Sequence, residues 1–475
     1  HAYTITNAID DRNVLSFHID YFGEEKKGKK PKKGETPPSE AVVKEILAKH
    51  DAATNHRRFN AVLATASINH AIEYVEQFNS QQQQKQAEDD NFKLLNIACV
   101  FSPPAQAVAK DKINSDNSNA DKNSKDIKQL QEDLPQEKAD NQVEPEKKKS
   151  ALKAIIANFN QQYGTNHKIN EFDLYYQDVQ QRIKDQKYSN ADYPHKNKID
   201  IVIVVDMLLT GFDSKFLNTL YVDKNLKYHG LIQAFSRTNR VLNDNKPWGN
   251  ILDFRGQETE VNAAIELFSG AAKNRAKEIW LVDPAPIVVE NYQKAVEKLD
   301  TFMQSKGLDC TPSEVVNLKG DSAKAEFINH FKEVQKLKTQ IEQYTELSDE
   351  QQLSVEKALP IDNLRGFKGA YLEIAQDLKR KQDQDGEDID DEVQQLDFEF
   401  VLFASAVIDY DFIMGLIAKS TQGSNKEKMT RQELIDMISG QANLMEERDD
   451  IIDYINSLAV GEALDEKQIR TGYQT

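Results

Sequence analysis

The sequence predicts an α/β domain, a parallel sheet flanked by helices, followed by an all-α domain. Three observations carry that expectation. Short β-rich runs alternate with amphipathic helical stretches through the first half, the pattern of a parallel sheet covered by helices. The run IDIVIVV at 199–205 has no polar alternation, as befits a central strand buried on both faces. Beyond about Gly256 the strand signal fades, and helical patterns continue to the end of the 475 residues. A chain of that length exceeds what one core accommodates, roughly 250–300 residues. The first domain is therefore placed at 1–256 and the second at 257–475.

In chain order the strand candidates are VLSFHIDYF (14–22), NAVLATA (60–66), LLNIACVF (94–101), IDIVIVV, NTLYVD (218–223) and GNILDF (249–254). Each is rich in β-branched or aromatic residues. Helices are predicted near 40–50, 67–79, 151–163, 171–188 and 229–242, where apolar residues recur at helical spacing. SQQQQKQAEDD (80–90) is expected to be the frayed end of the helix before it. Residues 102–150 are rich in Asn, Asp, Lys, Gln and Pro, and nearly free of large apolar side chains. Such a segment cannot bury enough surface to offset its ordering entropy, so a disordered or weakly helical surface insertion is expected. The later helices are read in residues 288–304, 322–344, 367–382 and 398–420. The acidic QDQDGEDIDDE (382–392) is read as a solvated connection among them.

Bulk composition excludes several classes. A formal net charge of −18 argues against general attraction to nucleic acid or to a membrane surface, leaving local grooves as the alternative. Two cysteines, Cys99 and Cys310, make neither a disulfide framework nor a Cys-rich zinc site. The histidines show no metal-ligand spacing, so no metal site is expected. No apolar run approaches the ~18 residues of a membrane span, and no signal peptide is readable. The expectation is a cytoplasmic protein with no membrane partner. The opening HAYTITNAIDDRNVLSFHIDYF reads as a chain already running into a strand, and a piece of a longer protein is expected.

Two stretches carry chemistry. HGLIQAFSRTNRVL (229–242), taken as one helix, sets Leu231, Ala234, Phe235, Thr238 and Leu242 on one side and Gln233, Arg237 and Arg240 on the other. Guanidinium forks match phosphate oxygens, being planar, permanently charged and bidentate. A solvated helix face is the plain alternative. Just upstream, VVDMLLTGFDSKFLNTLYVDK (204–224) sets Thr210-Gly211-Phe212-Asp213 between two strands. There Gly211 permits a tight turn, and Thr210 and Asp213 are read at the carboxyl edge of a strand, where ligands of α/β sheets bind.

Strand, TGxD, strand, then Q-x-x-x-R-x-x-R resembles the fifth and sixth motifs of superfamily 2 helicases and translocases. Ser236 and Asn239 stand at the two glycine positions of the usual QxxGRxGR. With YHGLIQAFSRTNR and TGFDSKFLNTLYVDKNL around them, these residues resemble the motor (R) subunit of type I restriction enzymes. NAVLATASINHAIEYVEQF is similar to that family's fourth motif, with Thr65 and Ser67 at a strand end. The resemblance implies a second RecA-like domain, then a helical C-terminal domain, of an ATP-dependent double-stranded DNA translocase and endonuclease. It further implies that Arg237 and Arg240 face the γ-phosphate of ATP, with Gln233 positioning nucleotide or water. Gly211 and Asp213 are implied at the ATP site, and Thr210, Thr65 and Ser67 at DNA. ATP and Mg2+ are implied as cofactors, held mainly by an upstream RecA-like domain of the same chain. Double-stranded DNA and methylation and specificity subunits are the implied partners.

The family's phosphate-binding loop and nuclease are not readable here, and this segment by itself is expected to be inactive. The nearest lookalike, GEEKKGKK (Gly23 to Lys30), has Lys30 where Ser or Thr is needed and no helix after it. Glu146-Lys147-Lys148 falls in the expected disordered insertion, DYDF (409–412) reads as a solvated acidic face, and His229 as a packing or capping residue. Two other readings stand beside this one: another superfamily 2 motor, and a non-enzymatic module docking the methylation and specificity subunits.

Overall fold

The computed structural model describes residues 4–22, 36–89, 92–104, 131–184, 195–242, 245–383 and 455. It divides into two compact units, one carrying the sheet and running to Val282, the other running from Asp283 and including His195 and Asn245.

All six strand candidates form strands: β1 (Phe17–Tyr21), β2 (Asn60–Thr65), β3 (Ile97–Val100), β4 (Ile201–Val204), β5 (Leu217–Asp223) and β6 (Gly249–Asp253). They make one wholly parallel sheet in the order β1-β6-β5-β2-β4-β3. The four interior strands, β6, β5, β2 and β4, are buried along their full length. That is why their sequences carry no polar alternation. Helices α1 (Ile5–Asp10), α2 (Ser39–Ala53) and α3 (Ile68–Glu88) belong to this unit, with α2 and α3 each burying an apolar stripe that joins the sheet core. The unit extends past the point where strand signal ends, because α8 (Glu258–Phe268) and α9 (Ala276–Trp280) also pack on it. Trp280 is buried, stacks 6.1 Å from Phe17 and donates to Thr6 Oγ1 at 2.9 Å.

Two sequence expectations are corrected. The glutamine-rich 80–88 is not frayed: α3 continues to Glu88, and Gln82 is buried with its amide closed on both polar groups of Leu95, accepting from the N–H at 2.5 Å and donating to the carbonyl at 3.2 Å. The side chain supplies the pairing that makes its burial tolerable. Within the insertion, 105–130 lies outside the described residues, but 131–150 is ordered and docked. It forms α4 (Pro135–Asp140) and the start of α5 (Pro145–Tyr163), followed by α6 (Phe172–Lys184). Polar composition misled because the docking is itself polar. The buried Glu137 carboxylate accepts from the N–H groups of Ser102 (2.6 Å), Asp206 (2.9 Å) and Met207 (3.1 Å). Asp140 accepts from Ile68 N–H at 2.7 Å and so caps α3. Burial pushes the Glu137 carboxyl above its ordinary range, against the pull of those amide donors. Lys148 lies in the first turns of α5, buried, donating to Val143 O.

The second unit contains α10 (Ala285–Ser305), α11 (Asp321–Ile341), α12 (Asp349–Ala358) and α13 (Ile361–Asp383). Its core includes Leu299, Met303, Phe327, Phe331, Phe367 and Tyr371, with Phe331 5.8 Å from Phe367 and 5.5 Å from Tyr371. Three of the four predicted C-terminal helices are thus observed. The fourth, 398–420, lies outside the described residues, as do DYDF and most of the acidic connection. Among the described residues, no helix is long and apolar enough to cross a membrane.

Glu137→Ala would leave three amides unpaired, each costing about 1–3 kcal/mol where buried. It should lower the stability of the sheet unit by on the order of 3 kcal/mol or more. Urea unfolding read by the fluorescence of Trp248 and Trp280, both buried in that unit, checks it; an unshifted transition would mean that α4 docks without Glu137.

Candidate functional site

The arginine segment is not one helix. Helix α7 (Tyr228–Phe235) ends one residue before Ser236, so Gln233 is helical and exposed while Arg237 and Arg240 lie beyond the helix. The chain leaves the helix because its next residues are tied elsewhere. Thr238 is buried and its hydroxyl donates to Phe235 O at 2.8 Å. Asn239 exchanges two bonds with Leu15, its carbonyl accepting from Leu15 N–H at 2.8 Å and its amide donating to Leu15 O at 3.1 Å. The second pair uses the Asn239 side chain, which a glycine at that motif position lacks. The predicted face survives in part, since Leu231, Ala234, Phe235 and Thr238 are all buried.

The TGFD residues occupy the connection from β4 to β5, residues 205–216, which contains no helix. Gly211 has φ +71°, and a Cβ there would meet nothing within 4 Å, so its requirement is conformational rather than spatial. Leu208, with φ +64°, holds a left-handed conformation without being glycine, a local strain beside the loop. Thr210 and Asp213 are exposed. The two stretches meet: Arg237 donates from Nη1 to Phe212 O and from Nε to Gln233 O at 3.0 Å. Arg240 Nε donates to Asp213 Oδ1 at 2.6 Å, with the arginine side chain 39% exposed. Burial, then the charge of Arg240, pulls the Arg237 pKa below its ordinary value. An arginine nonetheless stays protonated at neutral pH.

This cluster lies toward the amino ends of the strands, which corrects the placement of TGFD at a carboxyl edge. Gly249 opens β6, and a Cβ there would come 2.4 Å from Thr238 Oγ1 and 3.2 Å from Asn239 Cβ. The arginine segment therefore passes directly over the start of β6. Thr65 and Ser67 sit at the other edge, the far end of the seven-residue β5 in register terms, since Thr65 pairs with Asp223. At ~3.3 Å per residue that separation is roughly 20 Å. Thr65 is fully buried and donates to Val204 O at 2.9 Å, and Ser67 caps α3, accepting from His70 N–H at 3.2 Å.

Several groups at the carboxyl edge escaped sequence reading. Asp223, fully buried, accepts from Tyr74 OH at 2.6 Å and pairs with Arg255 Nε at 2.6 Å and His70 Nε2 at 3.4 Å. Burial raises its pKa, opposed by those partners. Asp206 binds the Lys224 ammonium, which also donates to Val205 O at 2.7 Å. The available signal was positional: each of Asp206, Asp223 and Asp253 closes a run of apolar strand residues. His229 packs edge-on against Phe268 at 4.8 Å, a packing role. Among the described residues no three His, Cys, Asp or Glu side chains gather as a metal site would require.

Comparison with known proteins meets this geometry at the same residues. The profile of domain 3 of the type I restriction enzyme R subunit matches residues 57–256, which include every site residue named above. That of the C terminus of the R subunit of type I restriction and modification enzymes matches residues 280–475. The chain belongs to the R-subunit family of type I restriction enzymes. Similar relatives include a type I restriction enzyme endonuclease subunit of Staphylococcus aureus strain COL, 27% identical over 96% of this chain and 45% of the relative. One of Staphylococcus saprophyticus is 26% identical over 91% of this chain and 42% of the relative. A putative one of Mycoplasma pneumoniae, described as an N-terminal part, is 29% identical over 49% of this chain and 60% of the relative. The chain thus spans less than half the length of the staphylococcal R-subunit relatives.

Gly249→Ala in this R-subunit segment should cost about 1–3 kcal/mol by overpacking, because Thr238 is buried and β-branched and cannot yield. Adding Thr238→Ala should restore part of the loss. Denaturant unfolding of the single and double variants reads both effects, and additive losses would mean that the contact is relieved some other way.

Proposed function

We propose that this chain supplies the arginine side of the ATP site, and the element coupling that site to DNA, in the motor subunit of a type I restriction enzyme. One observation carries the reading: Arg237 and Arg240, offered from one segment, are both anchored on the TGFD loop, through Phe212 O and Asp213. The residues fit the anionic end of a nucleotide. Arg240 already holds an oxyanion at 2.6 Å from a partly exposed position, and a phosphate oxygen presents the same chemistry. Bound ATP with Mg2+ supplies the scissile phosphoanhydride, and an upstream RecA-like domain of the same chain holds most of it. In this reading Arg237 and Arg240 stabilise the charge that develops in the transition state. Exposed Gln233 orients nucleotide or water, and Gly211 and Asp213 shape the loop that meets the nucleotide.

The loop 205–216 runs from the carboxyl edge to the amino edge of the sheet, which supports a coupling role. The loop starts beside Thr65 at the carboxyl edge, where Ser67 contacts the DNA backbone and buried Thr65 holds the strand end in place, while Thr210 contacts that backbone from the exposed middle of the loop. Double-stranded DNA, with the methylation and specificity subunits, completes the assembly in the cytoplasm. The intact subunit then translocates DNA and cleaves it, and this segment alone does neither. Family membership sets aside a repair or remodelling helicase.

Arg240→Ala in the complete subunit, assembled with its partners on saturating linear duplex, should reduce DNA-stimulated ATP hydrolysis by on the order of 10³-fold with folding intact. Unchanged turnover would return the arginines to a surface role and favour the docking module instead.

A further inference from the structure

The residue that holds Arg240 from behind is a lysine that the family's motifs do not include. Lys246 is buried, 1% exposed, and its ammonium donates to three backbone carbonyls: Lys215 O at 2.8 Å, Leu217 O at 3.0 Å and Arg240 O at 2.8 Å. Three acceptors match the three N–H groups of a protonated amine, whereas a neutral amine has two and would turn a lone pair on a carbonyl. A buried charge without a bonded carboxylate is costly. Burial does pull its pKa well below the ordinary value. An apolar residue would fill the space but remove a donor from all three carbonyls.

The arrangement tethers Arg240 at both ends to the same short stretch of chain. Its guanidinium is held by Asp213, and its carbonyl is held through Lys246 to Lys215 and Leu217. The stretch 213–217 is where the TGFD loop enters β5, and the β2–β5 register slips there, between Asn60 and Ala61. We propose that Lys246 is a positioning residue for the ATPase reaction, fixing the Arg240 backbone to the loop–β5 junction so that the guanidinium moves with the TGFD loop. This rests on the reading of Arg240 given above. Lys246 touches no reacting atom. Its effect passes through Arg240, and a misplacement of ~1 Å at such a group costs on the order of 10²-fold in rate.

The test is a double-mutant cycle in the complete subunit, assembled with its partners on linear duplex DNA. It measures kcat and KM for ATP hydrolysis of wild type, Lys246→Met, Arg240→Ala and the double variant, with thermal unfolding as the fold control. The expected result is a kcat lowered by on the order of 10²-fold in Lys246→Met with KM little changed. In the Arg240→Ala background the same substitution should cause no further loss. A purely structural role would multiply the two losses and would overturn the proposal, as would full kcat in a folded Lys246→Met. Should Lys246→Met fail to fold, the cycle is read with Lys246→Gln, which keeps two donors; failure of both to fold assigns Lys246 to the scaffold and also overturns it. Unchanged turnover in Arg240→Ala alone would instead remove the functional reading on which the inference stands.

Discussion

A parallel sheet obliges each connection to travel from the carboxyl edge back to the amino edge, and the one from β4 to β5 makes that journey without a helix. A helix would satisfy its own backbone on the way. Residues 205–216 do so only in part, through pairs such as Leu209 N–H on Asp206 O, and side chains from elsewhere serve other groups of the loop. Glu137 accepts from the amides of Asp206 and Met207, Lys224 donates to Val205 O, Arg237 to Phe212 O and Lys246 to Lys215 O. The burial of Glu137 and Lys246, both charged residue types, is explained by that one need.

The same requirement shapes the energetics. An unpaired polar group in the interior costs more than a paired one contributes, so removing any of these side chains exposes the cost of the partners it leaves behind. The pairing is therefore built from side chains with several hydrogen-bonding atoms, Glu137, Lys224, Arg237 and Lys246, each of which bonds more than one group. Asp223 follows the same logic at the end of β5, where Tyr74 and Arg255 offset the desolvation that raises its pKa. The loop is braced at both ends and exposed in its middle, at Thr210, Gly211 and Asp213.

Much of this was legible in one sequence. Apolar runs such as IVIV and NAVLAT located the strands because a doubly covered parallel strand must be apolar on both faces. The pairing of TGFD with Gln233, Arg237 and Arg240 was legible as a motif, and the structure brings those stretches into contact. The grouping with Thr65 and Ser67 was not realised, since spacing along a chain does not state which edge of a sheet a residue reaches. Polar composition also misdirected. The insertion through 131–150 and the glutamines of α3 looked solvated, yet Glu137 and Gln82 are buried because backbone groups of other segments need them, and Lys148 is buried on the nearby Val143 carbonyl.

By itself, then, the sequence determined what depends on local periodicity and residue chemistry: the α/β unit followed by helices, the strand positions, and the permanently charged arginines in their motif. Tertiary structure alone decided where α7 stops, which edge the arginines occupy, and which carbonyls Lys246 and which amides Glu137 must serve. The physical reason is that hydrophobic burial is written in short-range pattern, whereas the satisfaction of a buried backbone group depends on whichever segment the fold happens to bring beside it.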